Sequence, residues 1–232
     1  MDKKKKIVLF GNIIFAVLIV AATICFMQIK GGLTIKYITK STASGLFVLC
    51  GVFNLFCLYK FYKGSWKSWL LLLGLIFAMS GDIVLIEHFT IGAILFAIGH
   101  IFYLAYFFTL YKFTILDLIF TALLITFAML VIFLYKGFEW NGMKILVIVY
   151  AIIICFMLGK AMGNYFAHKN VANLISFLGA LFFFFSDMML LFFNFAGRQI
   201  IFDYFCVYTY FPAEFLLALS LLLHKDHYKE RK

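Results

Sequence analysis

Apolar runs of about 20 residues recur along this chain from end to end, parted only by short basic or polar joins. That length of helix, at about 1.5 Å per residue, crosses the roughly 30 Å hydrocarbon core of a bilayer. In such a medium every backbone N–H and C=O must be satisfied inside the protein, which leaves helices or a closed barrel. These runs are apolar on all sides and lack the period-2 alternation of barrel strands. A chain that is 66% hydrophobic and 13% charged, with a single proline, also excludes a soluble domain. The expectation is an all-α integral membrane protein, a bundle of eight transmembrane helices forming one domain over residues 1–232. The spans fall at about 7–27, 43–60, 69–87, 90–111, 114–135, 143–163, 171–194 and 201–223.

The start of the chain, Lys3 to Lys6 followed by Ile7–Met27, imitates a signal peptide. Its apolar run exceeds a usual signal core and the chain keeps spanning, so it reads as a retained first helix. The net charge of +10 does not indicate nucleic acid, because the basic residues sit at helix ends, where they orient the chain and meet lipid phosphates. With the N-terminus inside, 14 of the 20 basic residues lie on that side and 6 on the other, which predicts both termini cytoplasmic. The protein is expected to be multi-pass, in the plasma membrane of a bacterium or an endomembrane of a eukaryote. Cys25, Cys50, Cys57, Cys155 and Cys206 all fall in apolar segments without a CxxC pair, and read as packing residues.

Two aspartates break the apolar pattern in near-copies of one segment. The first runs Gly74 to Leu85 with Ser80-Gly81-Asp82; the second runs Gly179 to Leu190 with Ser186-Asp187. Each has a glycine close to two turns before the Asp and a leucine three residues after it. An ionisable group at membrane depth costs about 2.5–3.5 kcal/mol on insertion scales, so a chain that places two in one context uses them. Four helices apart, they run in the same direction, which suits a parallel four-plus-four repeat. Helix rise puts both about 10 Å below the outer face.

Other polar groups gather at that depth. His100 and Tyr103 share one face of the fourth span with Gly92, Phe96, Gly99 and Phe107. Tyr150 lies on the sixth span, Asn194 seven residues beyond Asp187, and Tyr210 and Glu214 are i,i+4 neighbours flanking Pro212 on the eighth. Each has a plainer reading: a hydrogen-bonded packing residue for His100, core for Tyr150, a helix end for Asn194. Asp117 and Asp203 need only helix-start roles. Gly159 and Gly163 make a small-xxx-small packing pattern. Lys36, Lys40 and Arg198 form a basic outer rim where a phosphate could dock. No metal site is expected, since His88, His168, His224 and His227 lie at loops or ends and only His100 is deep. Ser80 and Ser186 lack a histidine base at suitable spacing. No cofactor is expected.

Together these residues resemble the YhhN family of lysoplasmalogenase-like membrane proteins. The resemblance rests on Ser80-Gly81-Asp82, Phe89, Gly92, Phe96, Gly99-His100, Tyr103, Val149-Tyr150-Ala151, Met157, Leu178–Phe182, Ser186-Asp187, Asn194 and Tyr210–Glu214. Two departures stand out. The family's Lys-Pro opening of the second span is Lys40-Ser41 here, and its usual Gln is Glu214. The resemblance implies hydrolysis of the vinyl ether bond of lysoplasmalogens, a lysophospholipid substrate, with Asp82 and Asp187 as the catalytic pair.

The chemistry suits those residues independently. A vinyl ether breaks by protonation at its β-carbon and water addition at the α-carbon of the resulting oxocarbenium ion. One protonated carboxyl and one carboxylate serve this, as in glycosidases. Two carboxyls sharing a low-dielectric site do not both ionise, so they act as a coupled pair. Which aspartate is the acid is open at this point. His100, Tyr103, Tyr150, Asn194, Tyr210 and Glu214 are the expected positioning groups. Two rivals use the same residues: a proton-coupled lipid or small-molecule transporter, and a non-catalytic lipid-binding protein.

Overall fold

A computed structural model describes residues 3–29, 31–62 and 64–224. Eight helices account for almost all of them: α1 Lys3–Gln28, α2 Leu33–Phe61, α3 Ser68–Leu85, α4 Phe89–Leu110, α5 Ile115–Leu134, α6 Lys144–Ala167, α7 Val171–Phe195 and α8 Ile200–Leu223. Each is long and apolar enough to cross a membrane, and no strand occurs among the described residues. Their outer faces carry exposed Ile, Leu, Val and Phe side chains, as expected of surfaces solvated by lipid rather than water.

The main difference from the sequence expectation is at α2, which begins at Leu33, about ten residues before the apolar run. Lys36 and Lys40 therefore ride on helix rather than on a loop. Their i,i+4 spacing continues to Ser44, so all three lie on one face. α3 is the short member, and Asp82 lies three residues from its end, whereas Asp187 lies eight residues from the end of α7. Counted from the helix starts, the basis of the common-depth estimate, Asp82 and Asp187 lie at similar positions, 14 and 16 residues in; α7 simply runs on past the level at which α3 stops. Of the basic residues used to orient the chain, Lys30, Lys63, Lys225, Lys229, Arg231 and Lys232, like His227, lie outside the described residues.

Helices α2, α3, α4, α6, α7 and α8 form a closed ring of neighbours, with α3 and α8 also touching across it. α1 packs outside on α2 and α8, and α5 outside on α6. The pairings repeat. α1–α2, α2–α3 and α3–α4 are matched by α5–α6, α6–α7 and α7–α8, while α8–α2 is matched by α4–α6. α1–α8 and α3–α8 have no counterpart of comparable extent, so the match to the four-plus-four repeat suggested by the two aspartate segments is partial.

Buried polar groups tie the peripheral helices on. Asn12 of α1 and Asn54 of α2 exchange two amide hydrogen bonds of 2.9 Å, and the Asn54 amide also donates to the Ala218 carbonyl of α8. Asp117 completes a capping box with Thr114 at the start of α5, the helix-start role expected of it. It also accepts a 2.8 Å hydrogen bond from Lys160 of α6, whose ammonium donates to the Lys112 carbonyl as well. Both side chains are about 1% exposed. Gly159 and Gly163 flank the lysine and meet Thr121 and Asp117 so closely that a Cβ at either would collide. The small-residue pattern is what lets α5 and α6 close over the pair.

Removing one partner of a buried ion pair strands the other charge, at a cost of about 3–5 kcal/mol. Lys160→Met is expected to lower the thermal unfolding midpoint in detergent sharply. Replacing both residues, as Lys160→Met with Asp117→Asn, is expected to recover much of the loss. Equal midpoints for the single and double variants would contradict this account.

Candidate active site

Asp82 is buried and fully partnered. Its Oδ2 accepts from Ser44 Oγ at 2.5 Å and from Tyr210 Oη at 2.8 Å, and its Oδ1 lies 3.2 Å from Lys40 Nζ. Two hydroxyl donors and an ammonium thus compensate this carboxyl. Ser44 was not foreseen, since a lone serine in an apolar span is ordinarily bonded to its own helix. The packing of α2 on α3 brings Ser44 to the carboxyl, and the extension of α2 through Lys40 puts the lysine on the same face.

Asp187 is set differently. Its Oδ2 accepts a 2.6 Å hydrogen bond from Tyr150 Oη and lies 3.5 Å from His100 Nε2. The other ring nitrogen, Nδ1, is 2.6 Å from the Phe96 carbonyl. A carbonyl only accepts, so Nδ1 carries the proton, and in the neutral ring Nε2 is a bare acceptor. This Nε2 is buried with no hydrogen-bond partner of its own. Two bare lone pairs facing each other repel, so one proton belongs between His100 and Asp187. No lysine or arginine is paired with Asp187 among the described residues.

The repeat explains the two neighbourhoods. Asp82 on α3 receives side chains from α2 (Lys40, Ser44) and α8 (Tyr210); Asp187 on α7 receives them from the corresponding α6 (Tyr150) and α4 (His100). The helices are equivalent, but the residues are not. Phe183 sits between the halves, its ring centroid 4.5 Å from His100 and 5.3 Å from Tyr210.

Glu214 is fully buried one turn beyond Tyr210. It accepts a 2.7 Å hydrogen bond from Tyr103 Oη through Oε2, while Oε1 has no partner. Tyr103 fits because Gly74, the glycine two turns before Asp82, has no side chain; a Cβ there would enter the Tyr103 ring. Gly179 does the same for α7, where a Cβ would press on Leu217 and the Ala213 carbonyl of α8. The repeated glycine is thus a close-approach site in both copies. Asn194 lies on the cavity wall described below but donates to the Leu190 carbonyl of its own helix, consistent with the plainer reading of that residue.

Asp82 and Asp187 line one cavity of about 690 Å³. Its walls also include Lys36, Lys40, Arg198, Asp203 and Tyr210. It lies toward the end of the bundle holding the α1–α2, α3–α4 and α7–α8 joins. The last of these joins is tight, with Gly197 (φ 85°) and Arg198 (φ 52°) both left-handed, and it presents Arg198 to the cavity. A second, apolar cavity of about 80 Å³ lies among α4, α5, α6 and α7, lined by Ala93, Ala128, Ala151 and Ile154 among others. Leu85, Phe89, Phe96, Asp187 and Leu190 border both. Asp187 therefore stands where a charged vestibule meets an apolar slot. Among the described residues, no group of three His, Cys, Asp or Glu side chains converges to hold a metal ion.

An all-helical fold of eight helices long and apolar enough to span a membrane, with a basic vestibule over a buried Asp82 and a half-buried Asp187, is the architecture of a multi-pass membrane protein with a polar site between its helices. The sequence model of the YhhN family matches residues 35–221, and the chain belongs to that family. The match takes in every helix except α1, and membership is consistent with a lysoplasmalogenase-like function. Comparison with curated proteins and with solved structures gives no match.

Filling the space of the Tyr103 ring overpacks the core, which costs about 1–3 kcal/mol. Gly74→Leu is expected to lower the thermal midpoint in detergent more than Gly45→Leu, because a Cβ on Gly45 meets nothing within 4 Å. Equal midpoints would refute the close-approach role.

Proposed function

We propose that the protein hydrolyses the vinyl ether bond of lysoplasmalogens, releasing a fatty aldehyde and a glycerophospho-base. The observation that carries this is the pairing in one cavity of a carboxylate held by three donors with a carboxyl that shares a proton with His100. That asymmetry is the division of labour the reaction needs, and it assigns Asp187 as the acid and Asp82 as the base.

In this reading the lipid phosphate meets Lys36 and Arg198 at the mouth and the first carbons of the alkenyl chain lie at the apolar slot beside Asp187. Asp187 delivers its proton to the β-carbon of the vinyl ether, and the α-carbon becomes an oxocarbenium ion stabilised by the Asp82 carboxylate. Water adds to the α-carbon and gives its proton to Asp82. The hemiacetal then collapses: its hydroxyl proton returns to Asp187, the C–O bond to glycerol breaks, and Asp82 passes its proton to the departing glycerol oxygen. Both carboxyls end as they began. His100 and Tyr150 hold the Asp187 proton and its orientation; Ser44 and Tyr210 orient Asp82.

The test is purified protein in detergent with a lysoplasmalogen, assayed for aldehyde. Asp82→Asn and Asp187→Asn, each with an unchanged thermal midpoint, are expected to lose about 10²–10⁴-fold in kcat, the usual worth of a positioned acid or base. Full activity in either variant would defeat the paired-acid mechanism. No aldehyde from the wild type, together with proton-dependent lipid uptake into liposomes, would favour the transporter instead. His100→Phe, which cannot share the proton, is expected to lower kcat with little change in KM.

A further inference from the structure

The hydrolase reading leaves one contact unexplained. Lys40 reaches inward to Asp82, although its place in the sequence is the basic rim. An ammonium against the carboxylate suits the resting protein, since it compensates a buried charge. It is a poor arrangement for catalysis, because a neutralised carboxylate does little for an adjacent oxocarbenium ion. Three observations suggest how the two demands are reconciled. Lys40 lines the same cavity as Lys36 and Arg198, and its side chain keeps 14% exposure, so it is not sealed into the core. It lies one turn from Lys36 on the outer side and one turn from Ser44 on the inner side of the same α2 face. Asp203, on the cavity wall, lies within electrostatic reach of both Lys40 and Lys36, so Lys40 has a second anion besides Asp82 in the same cavity.

Resting on the hydrolase reading, we propose that Lys40 is a specificity-determining positioning residue that couples recognition of the substrate phosphate to release of the Asp82 charge. In the free protein Lys40 neutralises Asp82. When a lysophospholipid enters, its phosphodiester joins Lys36 and Arg198 and draws the Lys40 ammonium off Asp82, which keeps the neutral donors Ser44 and Tyr210. The flexible four-carbon stem allows this without movement of α2. A ligand shifts such an equilibrium only by binding one state better, and the phosphate is the part of the substrate that does so. An alkenyl glycerol without phosphate offers nothing to draw the ammonium away and leaves Lys40 in place.

The experiment compares two substrates with the same alkenyl chain: the lysoplasmalogen with phosphoethanolamine, and the 1-alkenylglycerol lacking phosphate. Steady-state kcat and KM are measured for wild type, Lys40→Met and Lys40→Gln in detergent. Wild type is expected to show a kcat at least about tenfold higher on the phosphorylated substrate. In both variants the kcat ratio is expected to collapse toward one, through a rise on the alkenylglycerol. KM for the lysoplasmalogen is expected to rise about tenfold, as for a lost charge-assisted hydrogen bond. Should Lys40→Met fail to fold, Lys40→Gln, which keeps a donor for Asp82, carries the test. Equal kcat on the two substrates in wild type overturns the coupling and leaves the hydrolase reading intact. So does a parallel fall in kcat on both substrates in the variants, the result of a merely structural role. No aldehyde from either substrate in wild type overturns the hydrolase reading, and the coupling with it.

Discussion

Two carboxyl groups inside an apolar bundle have to be compensated, and the arrangement of this protein follows from how each compensation is made. An unpaired charge at membrane depth is costly enough to be avoided or neutralised. At Asp82 the answer is a cation and two hydroxyl donors. At Asp187 it is a tyrosine and a histidine whose tautomer is set by a backbone carbonyl. The first solution keeps a carboxylate; the second leaves a place for one proton.

The fold makes this asymmetry available through similar surroundings for the two aspartate helices. α3 packs on α2 and α4 as α7 packs on α6 and α8, and side chains from α8 and α4 complete the two surroundings. Different side chains on those neighbours give the two carboxyls different partners. The glycines that precede each aspartate serve the scaffold rather than the chemistry: they admit Tyr103 against α3 and hold α8 against α7. Elsewhere the same logic appears without function. Lys160 and Asp117 pair with each other away from both cavities and close α5 onto α6.

Much of the site was legible in the chain because its members are polar residues in an apolar text. Asp82, Asp187, His100, Tyr103, Tyr150, Tyr210 and Glu214 all stand out on that ground, and each makes or lines the buried polar contacts described. Ser44 and the inward turn of Lys40 did not, for different reasons. A serine hydroxyl satisfies itself on its own helix as readily as across an interface, so composition carries no signal for it. Lys40 belongs by sequence to the rim. Its reach to Asp82 depends on α2 starting at Leu33, in a segment whose hydropathy alone marks it as a loop.

By itself the sequence determined that this is a helical protein of eight apolar spans with two similarly framed aspartates at depth. Hydrocarbon length and the cost of buried charge are one-dimensional constraints, readable from runs and their interruptions. Only the tertiary structure decided that both aspartates border one cavity, and that Lys40, Ser44 and Tyr210 hold one while Tyr150 and His100 hold the other. Those contacts join residues 37 to 128 positions apart. Partners so distant are chosen by which helix faces pack together, and no local pattern along the chain records that choice.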